Sequence, residues 1–164
     1  MPQTPAQPSQ PVQDETQYAK AAKRHYDDAV HLHSIKRLAN ADYHFGFAVE
    51  CALKSLLIRY SGASLSPKPN GKTAKAPWII DSSGKAKDLS HLPALWTAVA
   101  LHLQGRQGGR LGAVLLAGDP FANWSVDHRY LDGTAVTEND VLGHRTAAEQ
   151  ILRLHDHALI AGAL

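Results

Sequence analysis

The feature that most constrains this chain is an apolar stripe that continues from about Lys36 to Tyr60. Apolar residues there recur at steps of three and four, the spacing that places side chains on one face of an α-helix. At about 100° per residue, the residues of this face are Leu38, Ala41, Phe45, Val49, Ala52, Leu56 and Tyr60. Ser61-Gly62 follows as a typical helix end. We therefore predict one long helix with a broad buried face.

Four further segments have helical character. They are predicted to run from about Thr16 to Ser34, His91 to Leu103, Arg110 to Ala117 and Thr137 to Ala161. The first is preceded by the capping signal of Asp14 and Gln17, and the last opens with Thr137-Glu138-Asn139-Asp140, which matches a capping box. These signals fix where two of the helices begin.

Residues 61–90 break the helical pattern with prolines and glycines. The run from Pro77 to Ile80 predicts either one short strand of a hairpin or a docked loop. We therefore predict an all-α fold, a four-to-five-helix up-and-down bundle with a long loop or hairpin insertion between its second and third helices.

The ends of the chain and its single cysteine limit the class of protein. The length of 164 residues fits one domain. Residues 1–15 are rich in proline and glutamine, which predicts a disordered tail ahead of a helical domain at 16–164. Cys51 stands alone, so neither a disulfide framework nor a cysteine-rich zinc site is expected.

The expected location is cytoplasmic, without membrane association. No apolar run reaches the roughly 20 residues that span a bilayer, and the N-terminus lacks the pattern of a signal peptide. The net charge of +2 is too small to indicate nucleic-acid binding by itself.

A polar stripe beside the apolar one supplies the first candidate site. Arg37, Asn40 and His44 lie at steps of three and four. A guanidinium can hold a phosphate in a bidentate way, and an imidazole can move a proton near neutral pH. The three side chains thus suit a phosphodiester. A solvated helix flank, or a polar network buried at a dimer interface, fits the spacing as well and is favoured by roughly two to one on spacing alone.

Charged and aromatic residues elsewhere form a second candidate group. Glu50 could pair with Lys54 as a surface pair one helical turn away, or with Arg129 across the bundle. Trp124 and Tyr130 are typical of core anchors, and Arg129 could equally well face a phosphate. No metal or other cofactor is expected. The histidine pairs at 31 and 33 and at 155 and 157 point to opposite sides of their helices, so neither pair can chelate one metal.

The stretch from Arg37 to Lys54 resembles the signature helix of one subgroup of the HEPN family. The resemblance is carried by Arg37, Asn40, Ala41, His44, Gly46, Ala48, Glu50, Leu53 and Lys54. Residues 91–96 and 124–130 also resemble that subgroup. HEPN domains are helical bundles that usually dimerise, and many are metal-independent ribonucleases of toxin–antitoxin, CRISPR or anti-phage systems. Others accompany nucleotidyltransferases or bind nucleotides without cleaving them.

The nuclease branch of that family carries an arginine, four to six residues, and then a histidine. Arg37 with His44 has this spacing, and so does Arg24 with His31. In the best-known nucleases the motif lies late in the domain, where Arg145 and His155 of this chain do not fit it.

The resemblance implies an RNA- or nucleotide-handling domain with Arg37, Asn40 and His44 as its catalytic group. His44 would take the proton of the RNA 2′-hydroxyl, Arg37 would stabilise charge on the phosphate, and Asn40 would orient His44 or the phosphate. The expected substrate-binding residues are Glu50, Lys54, Trp124, Arg129 and Tyr130.

Two non-catalytic alternatives stay open. In one, the chain is a homodimer that partners a nucleotidyltransferase, an antitoxin or another neighbouring protein. In the other, it binds a nucleotide in the cleft between the second helix and the Trp124 loop.

Overall fold

The computed structural model describes residues 14–103 and 109–162, and helices dominate them. The α-helices are α1 (Glu15–Ser34), α2 (Leu38–Tyr60), α3 (Ala94–Leu103), α4 (Gly109–Leu116) and α5 (Glu138–Ala161). Two short strands, β1 (Trp78–Ile80) and β2 (Ala86–Asp88), and a 3-10 helix at Val126–Tyr130 complete the described elements. The predicted mostly α-helical fold is confirmed. Most of the predicted tail, residues 1–13, lies outside the described residues, while Asp14 caps α1 through the Gln17 amide.

The first two helices form a tight hairpin. Only residues 35–37 separate them, so α1 and α2 run antiparallel and pack along their length. Lys36 lies in the left-handed region with φ 61°, and Arg37 is the N-cap of α2. The second helix consequently begins two residues later than predicted, because the backbone at Lys36 turns the chain instead of continuing it.

The central element of the fold is α2, with α1 and α5 packed against it. The predicted stripe is largely confirmed, since Phe45, Val49 and Leu56 are buried. Burial extends well beyond that stripe, however, and covers every residue from Ala48 to Leu57. A helix buried nearly all round is a core helix, so even its polar side chains must find partners inside the protein.

The insertion contains the hairpin that the sequence left open as one of two alternatives. Strands β1 and β2 pair antiparallel, with Trp78 opposite Asp88 and Ile80 opposite Ala86. The hairpin is attached to the bundle by the buried side chains of Ile79 and Leu89.

The last helix begins with the predicted capping box. The Thr137 hydroxyl accepts from the Asp140 amide, and the Asp140 carboxylate accepts from the Thr137 amide in return. The last turn of α1 contacts the start of α5, because Nε2 of the buried His33 ring lies 2.8 Å from Glu138 Oε1. This link holds the start of α5 beside the α1–α2 turn.

None of the helices in the described parts of the chain combines the length and apolar character needed to cross a membrane.

Candidate functional site

A pair of histidines lies on the outer side of the α1–α2 hairpin. His25 is eleven residues before Lys36 and Phe47 eleven after it, so the antiparallel turn places His25 beside this part of α2. The Nδ1 atoms of His25 and His44 are 2.9 Å apart. Both rings are half-buried, so one face of the pair remains accessible to a ligand.

The hydrogen bonds around this pair determine which of its ring nitrogens carry a proton. Arg24 Nη2 lies 3.4 Å from His25 Nε2, and a guanidinium can only donate. In the neutral pair, His25 therefore carries its proton on Nδ1 and donates it to Nδ1 of His44. His44 then carries its own proton on Nε2, which makes no hydrogen bond within the described residues and is free to donate to an incoming anion.

Burial keeps both rings neutral near neutral pH. It lowers the pKa of His25 from 6.5 to about 4, with the positive charge of Arg24 as a further cause. Burial also lowers the pKa of His44, while the Asp28 carboxylate acts in the opposite direction. The site thus presents uncharged imidazoles next to an exposed arginine, an arrangement suited to proton transfer.

Aromatic rings continue the site along α2. The Phe47 ring stacks on His25 with centroids 5.4 Å apart and meets the Tyr43 ring edge-on at 4.7 Å. It also contacts the ring of His91, with centroids 6.4 Å apart. Flat rings of this kind are surfaces on which bases stack.

A second exposed arginine, Arg129, lies at the other end of this run of rings. The Arg129 guanidinium lies 3.5 Å from the Tyr43 hydroxyl and 4.7 Å from the centre of the Tyr130 ring. A connected surface therefore runs between two exposed arginines. We call it the arginine–histidine strip, and it consists of Arg24, His25, Tyr43, His44, Phe47, His91, Arg129 and Tyr130.

Two of the three predicted catalytic residues stand apart from the histidine pair. The side chains of Arg37 and Asn40 are exposed and form no hydrogen bond with the described residues. The ring of His44 is held by His25, so Asn40 does not orient it in this structure. The arginine linked to His44 through His25 is Arg24, which the sequence grouped with His31.

The expected surface pair of Glu50 and Lys54 is buried. Lys54 Nζ donates to Glu50 Oε1 at 2.7 Å, and both side chains lie in the core because α2 is enclosed there. The two carboxylate oxygens of Glu50 also lie 3.0 and 3.1 Å from His91 Nδ1. The alternative partner, Arg129, contacts Tyr43 instead. A substrate on the strip would meet this pair only through the exposed His91 ring.

Trp124 and Tyr130 have opposite surroundings. The interpretation of Trp124 as a core anchor is confirmed, since it is 1% exposed and its Nε1 donates to the Asp42 carbonyl. Its indole packs against the rings of Tyr43 and Phe47 from the core side and does not reach a surface-bound substrate. For Tyr130 the anchor interpretation is wrong, because the 3-10 helix turns this ring outward and leaves it 73% exposed.

A cavity of about 510 Å³ lies on another side of α2, beside residues 123–136 and the start of α5. It is the cleft in which the nucleotide-binding alternative would place its ligand. Its lining includes the carboxyl groups of Asp42, Asp132 and Asp140 and no lysine or arginine. This charge favours cations and disfavours phosphates.

A buried hydrogen-bonded chain forms one wall of this cavity. His144 Nδ1 donates to Asp42 Oδ1 at 2.5 Å, and His144 Nε2 lies 3.1 Å from Asn123 Oδ1. Both ring nitrogens thus have a partner. Asp42 and His144 form a buried hydrogen-bonded pair, and the Phe121 ring stacks on the imidazole with centroids 4.6 Å apart.

Sequence reasoning missed His25, Asp42 and His144. A signal for His25 existed in its position opposite Phe47 across the short turn between the first two predicted helices. His144 lies one turn after Val141 and one before Ala148, on the predicted inner face of α5. No signal within the sequence pairs it with Asp42, because the two residues are 102 positions apart.

Comparisons of the chain with family profiles, curated proteins and solved structures find no match.

Within residues 14–103 and 109–162, no group of three or more histidine, cysteine, aspartate or glutamate side chains is placed to hold a metal ion.

Proposed function

We propose that this chain is an RNA-handling domain of the HEPN type, which binds single-stranded RNA on the arginine–histidine strip and cleaves it. The observation that carries the proposal is the connected run of side chains from Arg24 to Arg129. Arginines neutralise phosphates, and accessible aromatic and histidine rings stack on unpaired bases. The resemblance of residues 37–54 to HEPN proteins points to the same class of substrate.

The proposed chemistry begins when a phosphate binds Arg24. The guanidinium then moves away from His25 Nε2, and this nitrogen takes up a proton from solvent. His25 passes its Nδ1 proton to Nδ1 of His44, and His44 releases its Nε2 proton to solvent. His44 Nε2 becomes a base that accepts the 2′-hydroxyl proton as the oxygen attacks phosphorus. The 5′-oxygen leaves and is protonated by water or by a second copy of the chain, so the products are a 2′,3′-cyclic phosphate and a 5′-hydroxyl.

Arg37 and Asn40 retain a role at the phosphate in this proposal. Both side chains are exposed near the start of α2 and are free to contact RNA. Arg37 would stabilise the charge on the scissile phosphate, and Asn40 would donate to one of its oxygens. Neither role depends on a contact with His44.

The test is cleavage of a mixed RNA pool by the purified chain in EDTA. His44→Ala should reduce the rate by about 10²–10⁴-fold, the usual contribution of a general base. His31→Ala is the matched control, because His31 is exposed and belongs to the other arginine–histidine spacing. That variant should cut normally. Unchanged cleavage in His44→Ala would contradict the assignment.

A folded wild-type chain that binds RNA but leaves it intact would instead support the non-catalytic alternative. The chain would then be a dimerising partner of a nucleotidyltransferase, an antitoxin or another protein. Nucleotide binding in the cavity is the weaker alternative, since phosphates would meet the carboxylates of Asp132 and Asp140 there.

A further inference from the structure

We propose that the cavity beside α2 and the start of α5 is a binding site for a small organic cation. Its ligand would carry an amine or amidine group on an apolar body. The site shares only Tyr130 with the arginine–histidine strip. Its carboxylates have no part in the proposed RNA binding, so the inference does not rest on the proposed function.

The charge of the cavity provides the first argument. Asp42, Asp132 and Asp140 contribute three carboxylates to the lining, which contains no lysine or arginine and two histidines, His128 and His144. The His144 ring is already engaged by Asp42 and Asn123 through both of its nitrogens. The lining therefore keeps an excess of negative charge, which attracts a cation and repels an anion.

The second argument is a carboxylate oxygen of Asp42 that none of the described residues pairs. Asp42 is 3% exposed, and its Oδ1 accepts from His144. Its Oδ2 forms no hydrogen bond with any of the described residues, although Asp42 lines the cavity. This oxygen is not one of the buried atoms that lack a partner, so it keeps some contact with solvent. An ammonium or amidinium group of a ligand would donate to it in place of water.

The remaining wall defines the body of the ligand. Apolar side chains of Ala39, Leu131, Ala135 and Val136 line the cavity. A volume of about 510 Å³ accommodates a compact ring system. Apolar walls around one charged contact are typical of sites that bind small organic molecules.

Three indoles that differ mainly in charge provide the test. Tryptamine carries an ammonium group, tryptophol a hydroxyl and indole-3-acetate a carboxylate on the same ring. Titration calorimetry with the full chain should show tryptamine binding at least about tenfold more tightly than either of the others. Chemical-shift changes in Gly133 and Ala135, which line the cavity, should accompany its binding.

Two variants assign the effect to this cavity. Asp42→Asn should remove the preference for tryptamine, while Asp88→Asn, in the exposed strand β2, should keep it. Asp42→Asn disturbs the buried pair of Asp42 and His144. Ala135→Phe is therefore the second variant, since it fills the cavity from an exposed loop position. It should abolish binding while the thermal midpoint stays unchanged.

Three results would overturn the proposal. The first is equal binding of the three indoles, and the second is tryptamine binding that survives both Asp42→Asn and Ala135→Phe. The third is the lack of any interaction with tryptamine at millimolar concentration.

Discussion

At the scale of single residues, the locations of a few protons decide what the arginine–histidine strip can do. Arg24 forces the neutral His25 to hold its proton on Nδ1, and His44 consequently holds its own on Nε2. The pair can exchange these tautomers only when Arg24 moves away. In the proposed mechanism, Arg24 thus controls which nitrogen of His44 carries a proton, a role that residue spacing alone does not reveal.

The low pKa of His25 predicts a loss of stability in acid. The unfolded chain protonates His25 near its ordinary value of 6.5, whereas the folded chain does so only near pH 4. Between these values the unfolded state binds more protons, so the free energy of unfolding decreases as the pH falls through this window. His25→Gln removes this contribution, and its thermal midpoint should fall less than that of the wild type between about pH 7 and pH 4.

Thermal melts of both proteins across this range provide the measurement, and parallel curves would contradict the assignment. Proton NMR of the His25 ring should show the same effect directly, with a midpoint near pH 4 in the folded protein.

The buried pair of Asp42 and His144 predicts strong energetic coupling. His144→Leu leaves the Asp42 carboxylate buried without its partner, which should cost about 3–5 kcal/mol of unfolding free energy. Adding Asp42→Asn removes the stranded charge, so the double variant should be more stable than His144→Leu alone. Urea unfolding of the four proteins of this cycle measures the coupling. Strictly additive losses would show that the pair is not coupled.

At the scale of elements, the contact between α2 and Trp124 explains a glycine inside a core helix. A methyl group at Gly46 would overlap the Trp124 indole. Alanine gains up to about 1 kcal/mol in helix propensity, but overpacking of a core costs about 1–3 kcal/mol. Gly46→Ala should therefore destabilise the protein despite its better propensity.

Gly143 in α5 is the matched control for this prediction. It is exposed, and nothing lies within 4 Å of a methyl group added there. Gly143→Ala should consequently stabilise the protein by about 0.5–1 kcal/mol. Chemical denaturation of both variants provides the comparison, and a stabilising Gly46→Ala would show that the indole can move aside.

The elements themselves were largely predictable because their signals are local. The Asp14 cap, the capping box at Thr137 and the apolar stripe of α2 act over one or a few turns, and the structure confirms all three. The burial of Glu50 and Lys54 was not predictable in this way. It follows from α1 and α5 enclosing α2, which periodicity along one helix does not reveal.

At the scale of the whole molecule, the candidate site is assembled from distant parts of the chain. His25 comes from α1, His44 from α2 and His91 from the segment before α3, while Arg129 comes from the 3-10 helix. The sequence predicted that Arg37, Asn40 and His44 share a helix face. It could not predict that Arg24 and Arg129 lie at the two ends of one surface, since that depends on how the elements pack.

The central claim is that the whole arginine–histidine strip binds RNA. The most direct test measures how tightly single-stranded RNA binds to variants that lack an arginine at one end of the strip. Arg24→Ala and Arg129→Ala should each weaken binding and reduce the salt dependence by about one phosphate contact. Arg110→Ala is the control, because this exposed arginine lies on α4, next to α3 and α5. It should bind as the wild type does. Equal affinities in all four proteins would contradict the account.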